Sequence, residues 1–321
     1  MHSISATTFT SFSQSQASIL IERLVQSIER TDKPAFEIIQ PPSEYERVQR
    51  TRLSKYIDSM QQMLYLFDEC HEYVYSEHLR AFWQACQDIG LERSPVGLTC
   101  LNEPGTGYLD FHQSMNVLVA RIRQIIRGKE FKRKENDRRY EASQKQAMLT
   151  EYVGRVLDRY SRTVVVRVDL HYRAIARVRL RIEHVFEDLD LLIRARERNP
   201  IFKHETGYIC SVEQGEDKGF HIHAAFFFNG AEVRSDFSKA RSIGDLWEKI
   251  THGQGYYYSC NDDKASYGDE LGIGVIQRRD IQARQKVVKA MRYLAKDSQH
   301  LRMKPAGARA FRTGRARRAT A

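Results

Sequence analysis

"GFHIHAAFFFNG", residues 219–230, has the period-two pattern of a β-strand. Successive side chains of a strand point to opposite faces of its sheet. The even positions from Phe220 to Phe228 are all apolar, so they predict a face that packs on a core. His221 and His223 then share the other face, with their Cα atoms roughly 6 to 7 Å apart. The stretch therefore predicts a strand with one apolar face and one face that carries two imidazoles.

The preceding segment "GYICSVEQG", residues 207–215, predicts the partner strand of this hairpin. If the connection turns symmetrically about Asp217, Glu213 lies opposite His221. Glu213 would then join the histidines on one face, while apolar residues such as Cys210 join the core face. The register is consistent because it buries the apolar positions of both strands.

A third strand is predicted at "TVVVRVDLHYR", residues 163–173, which is rich in β-branched residues. Arg167, Asp169 and His171 alternate there with apolar residues and would look out from the same polar face. We treat Asp169 and His171 as additional candidates for a site on that face.

Two histidines and a carboxylate with open positions suit a divalent ion that acts on a phosphate. We therefore predict Glu213, His221 and His223 as metal ligands. One alternative is that both histidines are ordinary polar residues on a solvated strand. A zinc site built from Cys210 or Cys260 is a weaker alternative, because Cys210 falls on the core face.

The last predicted helix, residues 280–301, carries a tyrosine on a polar stripe. Lys289, Tyr293 and Lys296 fall on that stripe at helical spacing. Nearby positive charge favours the phenolate and neutralises charge on a phosphate under attack. Tyr293 is therefore a candidate nucleophile, although an isolated tyrosine at such a place is more commonly an amphipathic residue at a core edge. The competing tyrosines, which lack a matched lysine, are Tyr256, Tyr257, Tyr258 and Tyr267.

The chain divides by the period of its hydrophobic pattern. Residues 1–16 are rich in Ser, Thr and Gln and predict a disordered N-terminus. Residues 17–160 show three- and four-residue spacing, which predicts an all-helical domain. From 161 to 301 strands and helices interleave, which predicts an α+β domain with one antiparallel sheet, helices on one face and the other face free.

Positive charge concentrates at the C-terminal end of the chain. The formal net charge is +10, and residues 302–321 contain no acidic residue. Such a segment is typical of proteins that bind polyanions, above all nucleic acid, and we predict a basic DNA-binding tail. A solubilising surface is the alternative. The cations of this segment are Arg302, Lys304, Arg309, Arg312, Arg315, Arg317 and Arg318.

Composition excludes several other classes. Hydrophobic residues make up 41% of the chain, which is too many for a disordered protein, and no apolar run is long enough to span a bilayer. The five cysteines include no CxxC pair and indicate neither a disulfide framework nor a cysteine-based zinc site. We therefore expect a soluble protein of the cytoplasm with no membrane partner.

The ordered set "TVVVRVDLHYR", "SVEQGEDKGFHIHAAFFF" and "YLAK" resembles the motifs of the HUH endonucleases. The order and spacing are similar to those of the rolling-circle replication initiators of filamentous phages (inoviruses) and related prophages. The resemblance covers about residues 160–315. It implies a ferredoxin-like palm, similar to an RNA-recognition fold, whose open sheet face holds Mg²⁺ or Mn²⁺.

The resemblance also implies a reaction. Tyr293 would attack the scissile phosphodiester of single-stranded origin DNA, leave a free 3′-hydroxyl and form a 5′-phosphotyrosine intermediate that later rejoins the strand. Lys296 would steady the phosphate. The residues expected to bind nucleic acid are Arg167, Lys289, Arg309, Arg312, Arg315, Arg317 and Arg318.

Two other functions stay open at this point. The chain could be a non-catalytic prophage DNA-binding or regulatory protein on the same fold. RNA binding through the sheet is a further alternative, but the aromatic residues fall mainly on the core positions. The helical half contains no motif that we can assign, and duplex DNA or host replication proteins are its candidate partners.

Overall fold

The computed structural model describes residues 12–39, 45, 47–68, 72–95, 97–295 and 300–314. The chain forms two compact units, Met1–Lys132 and Arg133–Ala321. The division lies upstream of the boundary expected at residue 160, because the helix before that boundary packs its apolar residues into the core of the C-terminal unit. Within the ranges given, no helix has both the length and the apolar character that crossing a membrane requires.

The N-terminal unit combines helices with short strands. Its elements are α1 (Gln14–Glu29), β1 (Phe36–Ile39), β2 (Arg47–Arg50), α2 (Ser54–Ile57), α3 (Met60–Tyr65), β3 (Tyr73–Tyr75), α4 (Glu77–Asp88), β4 (Glu92–Ser94), β5 (Gly97–Thr99) and α5 (Phe111–Arg127). The prediction of an all-helical domain is wrong, because β1 pairs with β2 and β4 pairs with β5 in antiparallel hairpins. Strands of three or four residues are too short for a period of two to be visible in the sequence.

Helix α1 begins within the segment predicted to be disordered. The Ser13 hydroxyl accepts a hydrogen bond from the Gln16 amide, and the Gln16 side chain accepts one from the Ser13 amide. This capping box starts the helix at Gln14. Residues 1–11 lie outside the described part of the chain.

The C-terminal unit contains the large sheet. The elements that follow α5 are α6 (Lys129–Asp158), β6 (Arg162–Tyr172), α7 (Ala174–Arg177), α8 (Ile182–Ala195), β7 (Glu205–Gly215), β8 (Gly219–Asn229), α9 (Asp236–Ile250), β9 (Gly255–Ser259), β10 (Gly274–Gln277), α10 (Ile281–Tyr293), β11 (Met303–Pro305) and β12 (Phe311–Thr313). The strand order in this antiparallel sheet is β10, β6, β8, β7, β12. Strand β9 also pairs with β6, beyond the residues that pair with β10.

The hairpin of β7 and β8 has the register predicted from the sequence. Glu213 lies opposite His221, and Ser211 lies opposite His223. Phe220, Ile222 and the other even positions of β8 are buried on the face covered by α8 and α9. The alternation that predicted the apolar face is therefore confirmed.

The opposite face of the sheet is not free, as we had expected, but partly covered. Ile209, Ala225 and Phe227 pack there against apolar residues of α6 and α10, such as Val153 and Met291. The next two odd positions of β8 after His223 are the apolar residues Ala225 and Phe227. This half of the face is therefore buried by helices that pack on it. The polar residues of the face are confined to the other half of the same strands.

The predicted basic tail is largely part of the fold. Strand β12 pairs with Ile209, Cys210 and Ser211 of β7. Arg302 is buried, and its guanidinium donates a hydrogen bond of 2.9 Å to the carbonyl oxygen of Gln214. Residues 302–314 are therefore part of the fold and not a tail, because backbone pairing and a buried arginine hold this segment, while the DNA-binding role stays a prediction. Residues 315–321 lie outside the described part of the chain.

Candidate functional site

A cluster of buried polar side chains occupies the half of the sheet face that the apolar residues leave. Three neighbouring strands supply it, because their registers align the odd positions of β8 with those of β6 and β7. Buried ionisable groups require partners, since burial without them is costly. The members of the cluster, each less than a tenth exposed, are Arg167, Asp169, His171, Glu213, His221 and His223.

His223 lies at the centre of this cluster. Its Nδ1 is 2.6 Å from the Asp169 carboxylate, and its Nε2 is 3.4 Å from the Glu213 carboxylate. Asp169 also lies 3.5 Å from Nε of Arg167. Burial by itself would raise the pKa of Asp169, but the hydrogen bond with His223 and the charge of Arg167 lower that pKa to about 2. Asp169 is therefore a fixed negative charge that orients the His223 ring.

Glu213, His221 and His223 form a ligand set of the kind that binds metal ions. One ligand atom from each residue lies within 4.8 Å of the others. Nδ1 of His221 lies 3.0 Å from the carbonyl oxygen of Gly219, and Nδ1 of His223 faces Asp169. Because both partners are acceptors, each Nδ1 carries the hydrogen and each Nε2 keeps its lone pair for a cation. The predicted ligands therefore converge.

His171 flanks the ligand set. Its ring centroid is 5.5 Å from that of His221 and 5.1 Å from that of Tyr256. Within the described residues its Nδ1 has no hydrogen-bond partner. Burial, together with the neighbouring His221 ring, lowers the pKa of His171 to about 3. This ring is therefore a neutral neighbour of the ligands, as the predicted strand face suggested.

Tyr293 lies beside the same cluster at the end of α10. Its side chain is 42% exposed, and the Arg167 guanidinium carbon is 5.8 Å from the centre of its ring. Burial would lower the pKa of Arg167, but the Asp169 carboxylate and other neighbouring groups together more than offset this effect, and the pKa is raised. The phenol is therefore next to a permanent positive charge that contacts the carboxylate partner of His223.

The other predicted phosphate-binding residues are not part of this cluster. Lys289 is exposed on α10 and pairs with Glu270 at 2.6 Å. Arg312 pairs with Asp190 on the face covered by α8, and Arg309 is exposed. The predicted residues that lie outside the described part of the chain are Lys296, Arg315, Arg317 and Arg318.

Sequence reasoning missed two residues that support the site. Tyr256 of β9 lies opposite His171 and stacks on its ring. Asn261 is fully buried, and its side-chain oxygen accepts a hydrogen bond of 2.8 Å from the Arg167 amide. The sequence "GYYYS", residues 255–259, indicates a strand that contains Tyr256. It does not indicate that this strand pairs with β6, because the two strands are far apart in the chain. Asn261 gave no signal.

The site predicts how Glu213 affects stability when no metal is bound. Burial raises the pKa of Glu213 from its usual 4.5 to about 7, against the opposing effects of His223, Ser211 and Arg167. The fold favours the protonated form of Glu213. The contribution of Glu213 to the free energy of unfolding is therefore fully present below pH 4.5 and is lost as the pH rises through 7. In EDTA, Glu213→Gln should raise the free energy of unfolding by about 1–3 kcal/mol at pH 8 and much less at pH 5.

Urea unfolding at the two pH values measures this difference. The matched control is Glu216→Gln, an exposed glutamate in the adjacent turn, which should change neither value appreciably. An equal effect of Glu213→Gln at both pH values would contradict the buried, protonated carboxyl.

Comparison with known proteins places the C-terminal unit in a described group. The family model of the YagK/YfjJ C-terminal domain matches residues 123–311, which is more than half of the chain. No curated protein and no solved structure shows significant similarity to the chain.

Proposed function

This chain belongs to the prophage-associated YagK/YfjJ C-terminal domain family, and we propose that it cleaves and rejoins single-stranded origin DNA through a covalent bond to Tyr293. Such a reaction would initiate rolling-circle replication, with the origin as substrate and host replication proteins as later partners. One observation carries the proposal. A ligand set of Glu213, His221 and His223 shares a sheet face with Arg167, which lies beside Tyr293.

The ligand set fits a divalent cation. His223 Nε2 and a Glu213 oxygen face each other at 3.4 Å, so a cation that displaces the proton of the Glu213 carboxyl can accept an electron pair from each of them. Two imidazole nitrogens favour Mn²⁺ over Mg²⁺, because Mg²⁺ prefers oxygen ligands. The bound ion would polarise a phosphate oxygen of the scissile diester. Asp169 would keep His223 in the tautomer that binds it.

Tyr293 would act as the nucleophile. A bond forms between the phenolic oxygen and phosphorus, while the bond from phosphorus to the 3′ oxygen breaks. The phenol releases its proton to solvent, and the leaving 3′ oxygen takes one up. Arg167 would compensate the negative charge that builds on the phosphate. Attack by a 3′-hydroxyl on the 5′-phosphotyrosine reverses the step, so rejoining consumes no nucleotide.

Several basic residues would guide the strand to this point. Arg309 is exposed after β11, and Lys289 is exposed on the helix that ends at Tyr293. Cations of this kind track a phosphate backbone without reading its sequence. Arg315, Arg317 and Arg318 keep the same proposed role, and Lys296 keeps its proposed role of steadying the scissile phosphate.

A non-catalytic prophage DNA-binding protein is the second candidate. The burial of the ligand set favours it, since Glu213, His221 and His223 are 5%, 3% and 7% exposed. Buried polar networks of this kind also serve to fix a fold.

A covalent-transfer assay tests the proposed function. The full chain is incubated with a pooled library of single-stranded DNA and Mn²⁺ and then denatured in detergent. We expect label from the 3′ end of the DNA to migrate with the protein, and label from the 5′ end to appear on a fragment that a polymerase extends. EDTA should abolish both products. Retention of DNA only under native conditions would reject the nuclease and support the second candidate.

A further inference from the structure

The N-terminal unit contains a groove of about 700 Å³ whose lining is strongly basic. It lies between the C-terminal end of α1, the β1–β2 hairpin and α2. One glutamate, Glu37, is the only carboxylate among the described residues that line it. The cations that line it are Arg30, Lys33, Arg50, Arg52 and Lys55.

Two of these cations are neutralised and three are not. Lys33 pairs with Glu37 at 3.2 Å, and Arg50 pairs with Asp58 at 2.5 Å while it also bonds the Ser54 hydroxyl. In the described part of the chain, no carboxylate forms an ion pair with the remaining cations. These exposed cations are Arg30, Arg52 and Lys55. The groove therefore holds an excess of positive charge that its own acidic residues do not offset.

The hairpin beside the groove presents side chains that can read nucleic acid. All residues of β2 are exposed, and Gln49 lines the groove. Arg47 lies on the same face of the ribbon, two residues before Gln49. Amide and guanidinium groups are the side chains that hydrogen-bond base edges in the DNA major groove.

We propose that this groove and ribbon bind duplex DNA, with Arg30, Arg52 and Lys55 on the phosphates. The major groove, about 12 Å wide, admits a two-stranded ribbon, and such ribbons are an established way to read DNA. Single-stranded DNA is the poorer occupant, because it is held by stacking on aromatic side chains. Tyr56 is the one aromatic residue in the described lining, and its hydroxyl accepts a hydrogen bond from Ser27. The site does not depend on the proposed nuclease.

Fluorescence anisotropy with a 30-base-pair duplex in EDTA tests the proposal. The test variant of the full chain combines Arg30→Ala, Arg52→Ala and Lys55→Ala. Loss of three phosphate contacts should weaken binding about tenfold or more at 0.1 M salt and should reduce the slope of log K against log salt by about 3. Chelation prevents metal-dependent nicking, so the result is independent of the reaction at Tyr293.

The matched control removes the same charge from the same unit outside the groove. It combines Arg80→Ala, Arg93→Ala and Arg121→Ala, and we expect an affinity and a salt slope near those of the original chain. Equal losses in the two variants would overturn the proposal, because net charge alone would then explain binding. A loss that is confined to single-stranded DNA would overturn the assignment of duplex as the ligand. Circular dichroism of both variants establishes that the unit is folded.

Discussion

Replacing Tyr293 with phenylalanine is expected to abolish the covalent protein–DNA adduct while the fold and the native DNA affinity are kept. Loss of a nucleophile that acts with a catalytic unit lowers the rate on the order of 10³-fold or more. The side chain is 42% exposed, so removal of its hydroxyl should change the free energy of unfolding by no more than about 0.5 kcal/mol. The measurement is the fraction of 3′-labelled DNA that migrates with the denatured protein.

The neighbouring tyrosines are weaker candidates for this role. A hydrogen bond with Asp263 raises the pKa of Tyr258 to about 12. Burial and a hydrogen bond with Cys260 also raise the pKa of Tyr267. A raised pKa disfavours the phenolate that attacks phosphorus. These two phenols are therefore poorly suited to the chemistry.

Tyr258→Phe is the matched control for this experiment. Tyr258 has the same exposure as Tyr293, 42%, and lies opposite Asp169 in the sheet. We expect this variant to form the adduct at the original rate. An adduct that survives Tyr293→Phe and disappears in Tyr258→Phe would move the nucleophile to β9.

The double variant His221→Ala with His223→Ala is expected to lose both metal binding and adduct formation. In the original chain, Mn²⁺ at about 100 times its dissociation constant should stabilise the fold by about 2.7 kcal/mol. Two of the three ligands are absent from the variant, so Mn²⁺ should no longer raise its melting temperature. Adduct formation should fall by at least about 100-fold, since even loss of a partner behind a ligand costs about 10- to 100-fold.

Asp169→Asn tests the orientation of His223 separately from the ligands. The amide keeps the shape of the carboxylate but not its charge, so Mn²⁺ affinity should fall by about 10- to 100-fold without being lost. His112→Ala, which removes an imidazole of the N-terminal unit, controls for loss of a histidine and should leave Mn²⁺ affinity and adduct formation unchanged.

Adducts that form at full rate in the double variant His221→Ala with His223→Ala would show that the metal assignment is wrong.

The sequence predicts the ligand set because the interactions that build it are local. The turn about Asp217 fixes the register of β7 and β8, and alternation then puts Glu213 with His221 and His223. Strand β6 carries the same alternation, so its contribution of Asp169 and Arg167 is also predictable. Period, turn position and burial all agree at this hairpin.

The rest of the fold depends on contacts between residues far apart in the chain. Helices α6 and α10 pack over Phe227 through tertiary contacts. The helical period of a sequence does not predict which face of a sheet the helix packs against. The pairing of β9 with β6 and the capture of β12 by β7 are equally non-local. The charge pattern also led to a wrong prediction for Arg302 and Arg312. Arginines in a basic run are expected to be solvated, and their partners, Gln214 and Asp190, are distant in sequence.

The position of β12 at the rim of the sheet has a practical consequence for anyone who shortens this protein. Its three residues shield β7, a strand of 11 residues whose segment from Tyr208 to Val212 is mostly apolar. A version that stops before Phe311 would leave backbone amides and carbonyls of that strand open to pair with a second molecule. Recombinant fragments trimmed to remove the basic end should therefore keep Gly314, whose amide donates a hydrogen bond to the Tyr208 carbonyl oxygen, because shorter fragments will tend to self-associate.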